Sequence, residues 1–333
     1  MKAVVFHQHG PLNNIRYEDY PEPEFGPADC LVAVKAVTLN GFDPMVLRGI
    51  PGLKTPLPMI PGADVAGDVI ETGPEVKRWK KGDRVAVIPN RPRVGMMGET
   101  LRGGACERLA IPADFLLELP DKVSYVDAAC LPTAYGCALR MMYTRGQVAK
   151  GEKVLILGAS GGVGTCCVQL AKLVGAEVIA VTSSDEKAEK LKEIGADHVV
   201  NATQQDYVQW IIDRYGKPRT WGGAGGVDVI VNYTGGETWA QCFRALRHQG
   251  RLLTCGATAG YDPKTDIRYI WSFEFNIIGS NSWTVEDHVE LLQMIADGRL
   301  KPVIHSVRPL CELAISLQEL IDRKVFGKAV LTP

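Results

Sequence analysis

Two short runs of small and hydroxylic residues carry the most chemistry in this chain. The first is Gly158-Ala-Ser-Gly-Gly-Val-Gly164. Four apolar residues, Val154–Leu157, precede it, and an apolar-periodic stretch from Thr165 to Val174 follows. A strand that turns through glycines into a helix leaves free backbone N–H groups at the helix N-terminus, where a pyrophosphate can sit. With Gly161 and Gly164 as the last two glycines, Ala159 stands where the first glycine of G-x-G-x-x-G would be, and Ala is small enough for the turn. Ala159, Ser160, Gly161, Gly162, Val163 and Gly164 are thus the expected dinucleotide turn; the plainer alternative is a glycine-rich βα turn with no ligand. The second run, Thr182-Ser-Ser184, closes the next strand, Glu177–Val181. An NAD-selective site would usually carry Asp or Glu there. Ser183 and Ser184 with Lys187 suit a ribose 2′-phosphate, which a carboxylate would repel, so the expected cofactor is NADPH. Asp185 tempers this and reads as the N-cap of the following helix; Lys187 also reads as an ordinary exposed helix lysine. Asn232, Cys255-Gly256 and Asn281 fall at the C-terminal ends of predicted strands, where ligands of open α/β sheets collect.

The elements around these residues fall into two patterns. Residues 1–124 are rich in short β runs (Lys2–Phe6, Asp29–Val37, Asp64–Thr72, Arg84–Ile88, Glu107–Ile111), punctuated by turns such as Pro21-Glu-Pro23 and Lys81-Gly-Asp83. That pattern predicts a β-barrel-like domain. From 125 to 282 helical periods alternate with apolar β runs, which predicts a doubly wound parallel sheet. Residues 283–333 add two helices, Val285–Asp297 and Leu313–Arg323, and a closing strand, Ala329–Leu331. Gly222-Gly-Ala-Gly-Gly226 is expected to be a surface loop, not a second phosphate cradle.

Composition excludes several classes. The chain has 333 residues, 46% hydrophobic and 23% charged, with a net charge of −1. No basic footprint for nucleic acid stands out; Lys77-Arg-Trp-Lys-Lys81 reads as a solvated turn. No apolar run approaches the length of about 18 residues needed to span a membrane, and Met1-Lys-Ala-Val-Val-Phe-His7 is expected to be a short strand, not a signal peptide. The nine cysteines form no C-x-x-C pair. This suits a reduced, cytoplasmic protein using cysteine as a small apolar residue, with no structural zinc cluster.

Over nearly its full length the chain resembles the medium-chain dehydrogenase/reductase superfamily. The matching segments are Asn40-Gly-Phe-Asp43 to Gly49, Pro58-Met-Ile-Pro-Gly-Ala-Asp-Val-Ala-Gly67, Val76–Val85, Ala128-Ala-Cys-Leu-Pro132, the Ala159-x-Gly161-x-x-Gly164 turn, Gly195-Ala-Asp-His198 and Gly327-Lys-Ala-Val-Leu331. The resemblance implies a Rossmann doubly wound parallel sheet plus a GroES-like β-barrel catalytic domain, to which residues 283–333 would return. Zinc alcohol dehydrogenases of this superfamily use a cysteine in the first loop, a Gly-His-Glu triplet and a third thiolate or carboxylate. Here Asn40-Gly41, Gly62-Ala63-Asp64 and Thr133 stand at those positions, and Asn90–Gly98, without cysteine, replaces the structural zinc lobe. Without thiolate or imidazole ligands a catalytic zinc is not expected. The chain therefore resembles the zinc-independent branch of quinone and enoyl reductases. Arg268-Tyr-Ile-Trp271 and Ile278-Gly-Ser-Asn281 also resemble the C-terminal part of enoyl-thioester reductases; carboxylating members have His where Asn281 stands, so reduction alone is expected.

Hydride transfer without a metal requires an acceptor already activated by conjugation, a nicotinamide held in orientation and a donor for the developing oxyanion. The resemblance puts Asn40 at the substrate cleft and makes it the first candidate donor; a turn-capping Asn is the alternative. Thr133 and Tyr135 are further candidates for the cleft wall or a proton donor, or else helix residues that pack. The expected activity is NADPH-dependent reduction of an enone, a 2-enoyl thioester or a quinone. An alcohol or aldehyde oxidoreductase and a non-catalytic NADPH-binding relative remain alternatives. The expected partners are a small-molecule substrate and a second copy of the chain, joined through the apolar edge strand Phe275–Ser280.

Overall fold

The computed structural model describes residues 1–221 and 224–333. The expected Gly222–Gly226 loop therefore has Gly222 and Gly223 outside the described residues. The chain divides into two compact units, Met1–Ala134 with Val285–Pro333, and Tyr135–Thr284.

In chain order the first unit opens with β1 (Lys2–Phe6), β2 (Ile15–Asp19), β3 (Asp29–Thr38), α1 (Asp43–Arg48), β4 (Asp64–Thr72), β5 (Arg84–Val87), β6 (Asn90–Arg91), β7 (Gly95–Met96), β8 (Arg108–Pro112), β9 (Leu116–Glu118) and α2 (Tyr125–Ala129). The second unit holds α3 (Gly136–Leu139), β10 (Lys153–Ile156), α4 (Gly162–Leu173), β11 (Glu177–Thr182), α5 (Asp185–Glu193), β12 (His198–Asn201), α6 (Tyr207–Tyr215), β13 (Val227–Val231), α7 (Thr238–Ala245), β14 (Leu246–Thr254), α8 (Ile267–Ser272) and β15 (Asn276–Gly279). The chain then returns to the first unit with α9 (Val285–Ala296), β16 (Ile304–Pro309), α10 (Leu313–Ile321) and β17 (Lys328–Thr332).

The second unit is built on a six-stranded parallel sheet in the order β12-β11-β10-β13-β14-β15. Counted within the unit this is 3-2-1-4-5-6, the Rossmann order, whose switch point lies between β10 and β13. Val154, Leu155 and Ile156 of the central strand are fully buried, as expected of a strand covered on both faces. Helix α4 begins at Gly162, ahead of the periodic stretch from Thr165, because its first glycines carry no apolar signal to read. Cys166 and Cys167 are both buried on it.

The first unit carries the GroES-like β domain. Its main sheet runs β16-β17-β3-β4-β5-β9, with β8 added on β3. The unit extends to Ala134, past the 124 expected, because α2 packs on β3 and β4 and Thr38 Oγ1 bonds Ala129 O at 2.9 Å. The return begins at Val285 instead of 283. Register does the positioning. Thr38 pairs with Asp64 across β3 and β4, and Val330 pairs with Thr38 across β17 and β3. Continuing the antiparallel β17–β3 register two residues past Thr38 puts Lys328 opposite Asn40. Among the described residues no helix is long and apolar enough to cross a membrane.

Candidate active site

Strand register in the first unit gathers four polar side chains in an apolar interior. Asp64 is fully buried, Lys328 is 2% exposed and Asn40 is 5% exposed. Lys328 Nζ donates to Leu39 O at 3.0 Å and to Asn40 Oδ1 at 2.6 Å, and lies 3.4 Å from Asp64 Oδ2. Three acceptors meet the three donors of an ammonium, and one of them carries the opposite charge. Asp64 is saturated in turn. Oδ2 accepts from Asn40 Nδ2 at 2.9 Å and lies 3.2 Å from Thr38 Oγ1, whose one proton it shares with Ala129 O; Oδ1 accepts from Thr133 Oγ1 at 2.6 Å and Thr133 N at 3.1 Å.

Thr133 lies in a π-helical turn, Leu131–Tyr135, which contains Pro132. Proline supplies no N–H to a helix, and the next N–H, that of Thr133, is diverted to Asp64. Thr133 is thus bound into the cluster and stays half-buried, whereas Tyr135 is fully buried in the second unit, with no solvent-facing surface.

Three more titratable groups surround the cluster. Asp43 accepts from Asn40 N at 2.6 Å and Gly62 N at 3.1 Å, tying the Asn40 loop to the loop before β4; burial pushes its carboxyl up to about 7 against those two hydrogen bonds. Burial likewise pushes the Cys130 thiol up to about 12, with the nearby Lys328 charge working against it. His288 on α9 is fully buried, and burial lowers its imidazole to about 4, with Asp64 acting in the opposite direction. Such a histidine is neutral in the folded protein and takes a proton in the unfolded chain below about 6.5. Between pH 6.5 and 4 the unfolded state binds more protons, so stability falls with acid by up to about 3 kcal/mol from this group. His288→Leu is expected to remove that part of the loss. Because Asp43 acts with the opposite sign over an overlapping window, the measure is the wild-type minus variant difference in unfolding free energy at pH 7 and pH 4.5. An unchanged difference contradicts the assignment.

In the second unit the dinucleotide turn fits its expected ligand. Gly161 is the N-cap of the twelve-residue α4 and lends no side chain to its first N–H groups. Ser160, Gly161, Gly162 and Val163 are part-exposed there, while Ala159 and Gly164 are buried beneath. Tyr233 Oη donates to Gly158 O at 2.5 Å and flanks the turn. Ser183 is exposed at the end of β11 and Lys187 is half-buried. The N-cap of α5 is Ser184, whose Oγ accepts from Lys187 N at 3.4 Å, and not Asp185. Asp185 begins the helix, and its carboxylate is turned to Asn201 and Gln204.

A cavity of about 570 Å³ opens at the C-terminal ends of β14 and β15, lined by Cys255, Gly256, Ser280 and Asn281 among others. That volume suits a bound small molecule. The buried hydroxyls of Ser280 and, at the end of β11, Thr182 have no hydrogen-bond partner among the described residues, so both can serve a ligand. Asn232, at the end of β13, is not among the residues that line this cavity. It is fully buried; Oδ1 accepts from Thr234 N and Gly235 N at 3.0 Å, and Nδ2 donates to Thr238 and Cys242. The residue closes the turn after β13.

Sequence reasoning passed over Lys328, whose signal was a lone charge in the apolar run Val325-Phe-Gly-Lys-Ala-Val-Leu331. It also passed over Tyr233 and the two buried hydroxyls.

A Rossmann unit with an open glycine turn, joined to a GroES-like unit with a buried polar cluster, defines a dinucleotide-dependent oxidoreductase. The alcohol dehydrogenase GroES-like domain family matches residues 26–121, and the zinc-binding dehydrogenase family matches 162–297. The chain is 30% identical to a crotonyl-CoA reductase of Streptomyces avermitilis, over 90% of this chain and 78% of that one. It is 33% identical to quinone oxidoreductase-like protein 2 of Mus musculus, over 94% of this chain and 87% of that one. Among solved structures, an NAD-dependent alcohol dehydrogenase superposes with a TM-score of 0.91 at 32% identity, covering 100% of both chains. The chain belongs to the medium-chain dehydrogenase/reductase superfamily and is an oxidoreductase; the cofactor of that family is a nicotinamide dinucleotide.

The donor set in the first unit does not fit the zinc that the description of the matched zinc-binding dehydrogenase family implies. Asn40, Ala63, Asp64 and Thr133 offer one carboxylate, already saturated, and the neighbouring cation is Lys328. A second cation beside that ammonium would be repelled. Among the described residues no three His, Cys, Asp or Glu side chains are grouped to hold a metal.

Proposed function

We propose that this oxidoreductase uses NADPH, without zinc, to reduce a C=C bond conjugated to a carbonyl, as in an enone or 2-enoyl thioester, or a quinone. The observation that carries this reading is the Asn40–Asp64–Lys328 cluster, which offers an amide N–H where a metal centre would need thiolate or imidazole ligands. An amide donor stabilises a partial negative charge, and a conjugated acceptor spreads the incoming charge enough for that to suffice. Bound at the glycine turn, the dinucleotide supplies the hydride. In the first unit the Asn40 amide would donate to the carbonyl oxygen of the acceptor as charge develops there, and solvent would return the proton that completes the reduction. The turn of residues 159–164 holds the pyrophosphate; Ser183, Ser184 and Lys187 hold the ribose phosphate; Cys255, Gly256 and Asn281 border the nicotinamide. The crotonyl-CoA reductase and quinone oxidoreductase-like relatives support the acceptor class.

The test is oxidation of NADPH by EDTA-treated protein against enones, 2-enoyl thioesters, quinones and saturated alcohols. Turnover of the conjugated acceptors is expected. Activity restored by zinc, or a preference for saturated alcohols, overturns the reading in favour of an alcohol dehydrogenase, which the structural neighbour represents. Ser183→Asp is expected to shift preference toward NADH by about 10-fold or more, since a carboxylate repels the 2′-phosphate and accepts from a 2′-hydroxyl. A parent that already prefers NADH contradicts the assignment of residues 182–184. We also propose that β15, the exposed edge of the parallel sheet with Ile277 39% exposed, pairs with a second copy of the chain.

A further inference from the structure

A lysine side chain is almost never buried without a partner or a purpose. Lys328 is buried in the strand of the first unit that pairs with β3, and its hydrogen bonds decide the orientation of one other side chain. An ammonium can only donate, so the Asn40 atom 2.6 Å from Nζ must be the amide oxygen. An ionised carboxylate can only accept, so the Asn40 atom 2.9 Å from Asp64 Oδ2 must be the amide nitrogen. Reversed, the amide would set NH₂ against the ammonium and oxygen against the carboxylate. The pair therefore holds the amide in one of its two orientations. One Nδ2–H goes to Asp64, and the second is left to donate elsewhere.

We propose that Lys328 is a positioning residue for the reduction: it locks and polarises the Asn40 amide so that the second Nδ2–H is presented to the oxygen on which charge develops. A charge-assisted hydrogen bond at Oδ1 draws electron density from the amide and strengthens its N–H as a donor. Because the amide is already held, it need not reorient as charge builds. Lys328 itself stays bonded to Leu39 O, Asn40 and Asp64, and acts through Asn40 without touching substrate. The proposal rests on the reading of Asn40 as the oxyanion donor, and the experiment separates the two.

The full-length protein is compared as wild type, Lys328→Met, Lys328→Arg, Asn40→Ala and the Lys328→Met/Asn40→Ala double variant, using NADPH and the fastest enone of the acceptor panel. Loss of an oriented oxyanion donor lowers kcat by about 10²-fold. Lys328→Met is expected to show that loss with KM changed less than about threefold, and Lys328→Arg to recover most of it, since guanidinium keeps the charge and the donors. The double variant is expected to be within about threefold of Asn40→Ala alone, because both substitutions remove one interaction. If Lys328→Met does not fold, Lys328→Gln, which keeps a donor and loses the charge, takes its place with the same expectation. A kcat within about threefold of wild type in the lysine variant, or losses that multiply in the double variant, overturns the role of Lys328. An unchanged kcat in Asn40→Ala overturns the reading of Asn40 itself, and the proposal falls with it.

Discussion

Asp64→Asn is expected to destabilise the protein by about 3–5 kcal/mol at pH 7, the usual cost of removing one partner from a buried ion pair. The substitution keeps the side-chain volume and one acceptor oxygen but leaves the Lys328 ammonium, 2% exposed, without a counter-charge. It also sets a new NH₂ against donors from Asn40, Thr38, Thr133 or Lys328, all of which now aim at the carboxylate. The loss should appear as a lower denaturation midpoint with an unchanged slope. Adding Lys328→Met to Asp64→Asn removes the orphaned charge and is expected to return more than half of the loss, since apolar replacement of a buried pair is often near neutral. Equal stability of the single and double variants would show that the pair is not what the site depends on.

Two glycines of the cofactor turn are expected to fail in opposite ways. A Cβ on Gly164 would sit 2.5 Å from Gly158 O and 2.6 Å from Ala159 Cα, both backbone atoms that cannot swing aside. Gly164→Ala should therefore cost about 1–3 kcal/mol of stability as an overpacked substitution, and weaken dinucleotide binding along with it. A Cβ on Gly161 meets nothing closer than Tyr233 Oη at 3.5 Å, and its φ of −79° and ψ of 174° admit any L-residue. Gly161→Val should fold with stability within about 1 kcal/mol of wild type. Its side chain would project into the space where a pyrophosphate approaches the backbone, raising the dinucleotide Kd by about 10²-fold, or about 2.7 kcal/mol. Thermal melts paired with fluorescence titration of NADPH distinguish the two. A Gly161→Val variant that binds normally would remove the turn from the cofactor site.

Those glycines were readable in the sequence because their meaning is local. A strand, a turn and a helix within some twenty residues leave their mark on neighbouring positions, and the parallel sheet followed from the same alternation. Lys328 was not readable in this way. Its burial depends on β17 pairing with β3, whose residues precede it by nearly the whole chain, and no local period records that register. The polar face of the site is legible in the sequence as absent metal ligands at Asn40, Ala63 and Thr133 and as candidate donors at Asn40 and Thr133; the cation from β17 that joins them is not. Asn232 shows a subtler limit. Its place at the end of β13 was read correctly, but a strand end does not say which way a side chain turns, and here the following turn captures it through Thr234 N and Gly235 N. Asp185 and Ser184 differ by one position, the usual margin of a helix boundary read without coordinates.

The two-part construction of the first unit bears on how the protein is made. The bond from Lys328 to Asn40 spans 288 positions along the chain. On the ribosome, every strand from β10 to β15 is available before Lys328 has been added, so the parallel sheet can form while β3 is still open at Val37 and Thr38, where β17 will pair. Nascent chains generally fold domain by domain in the order of synthesis, and long-range strand pairing is slow. Here that order is inverted for the first unit: begun first, it is completed last. Until β17 arrives, Asp64 lacks its counter-ion and the β3 edge at Val37–Thr38, beyond its pairing with β8, is unpaired, a state that invites association with other chains. Premature termination or a frameshift late in the message would therefore release a protein with an intact parallel sheet and an unfinished first unit.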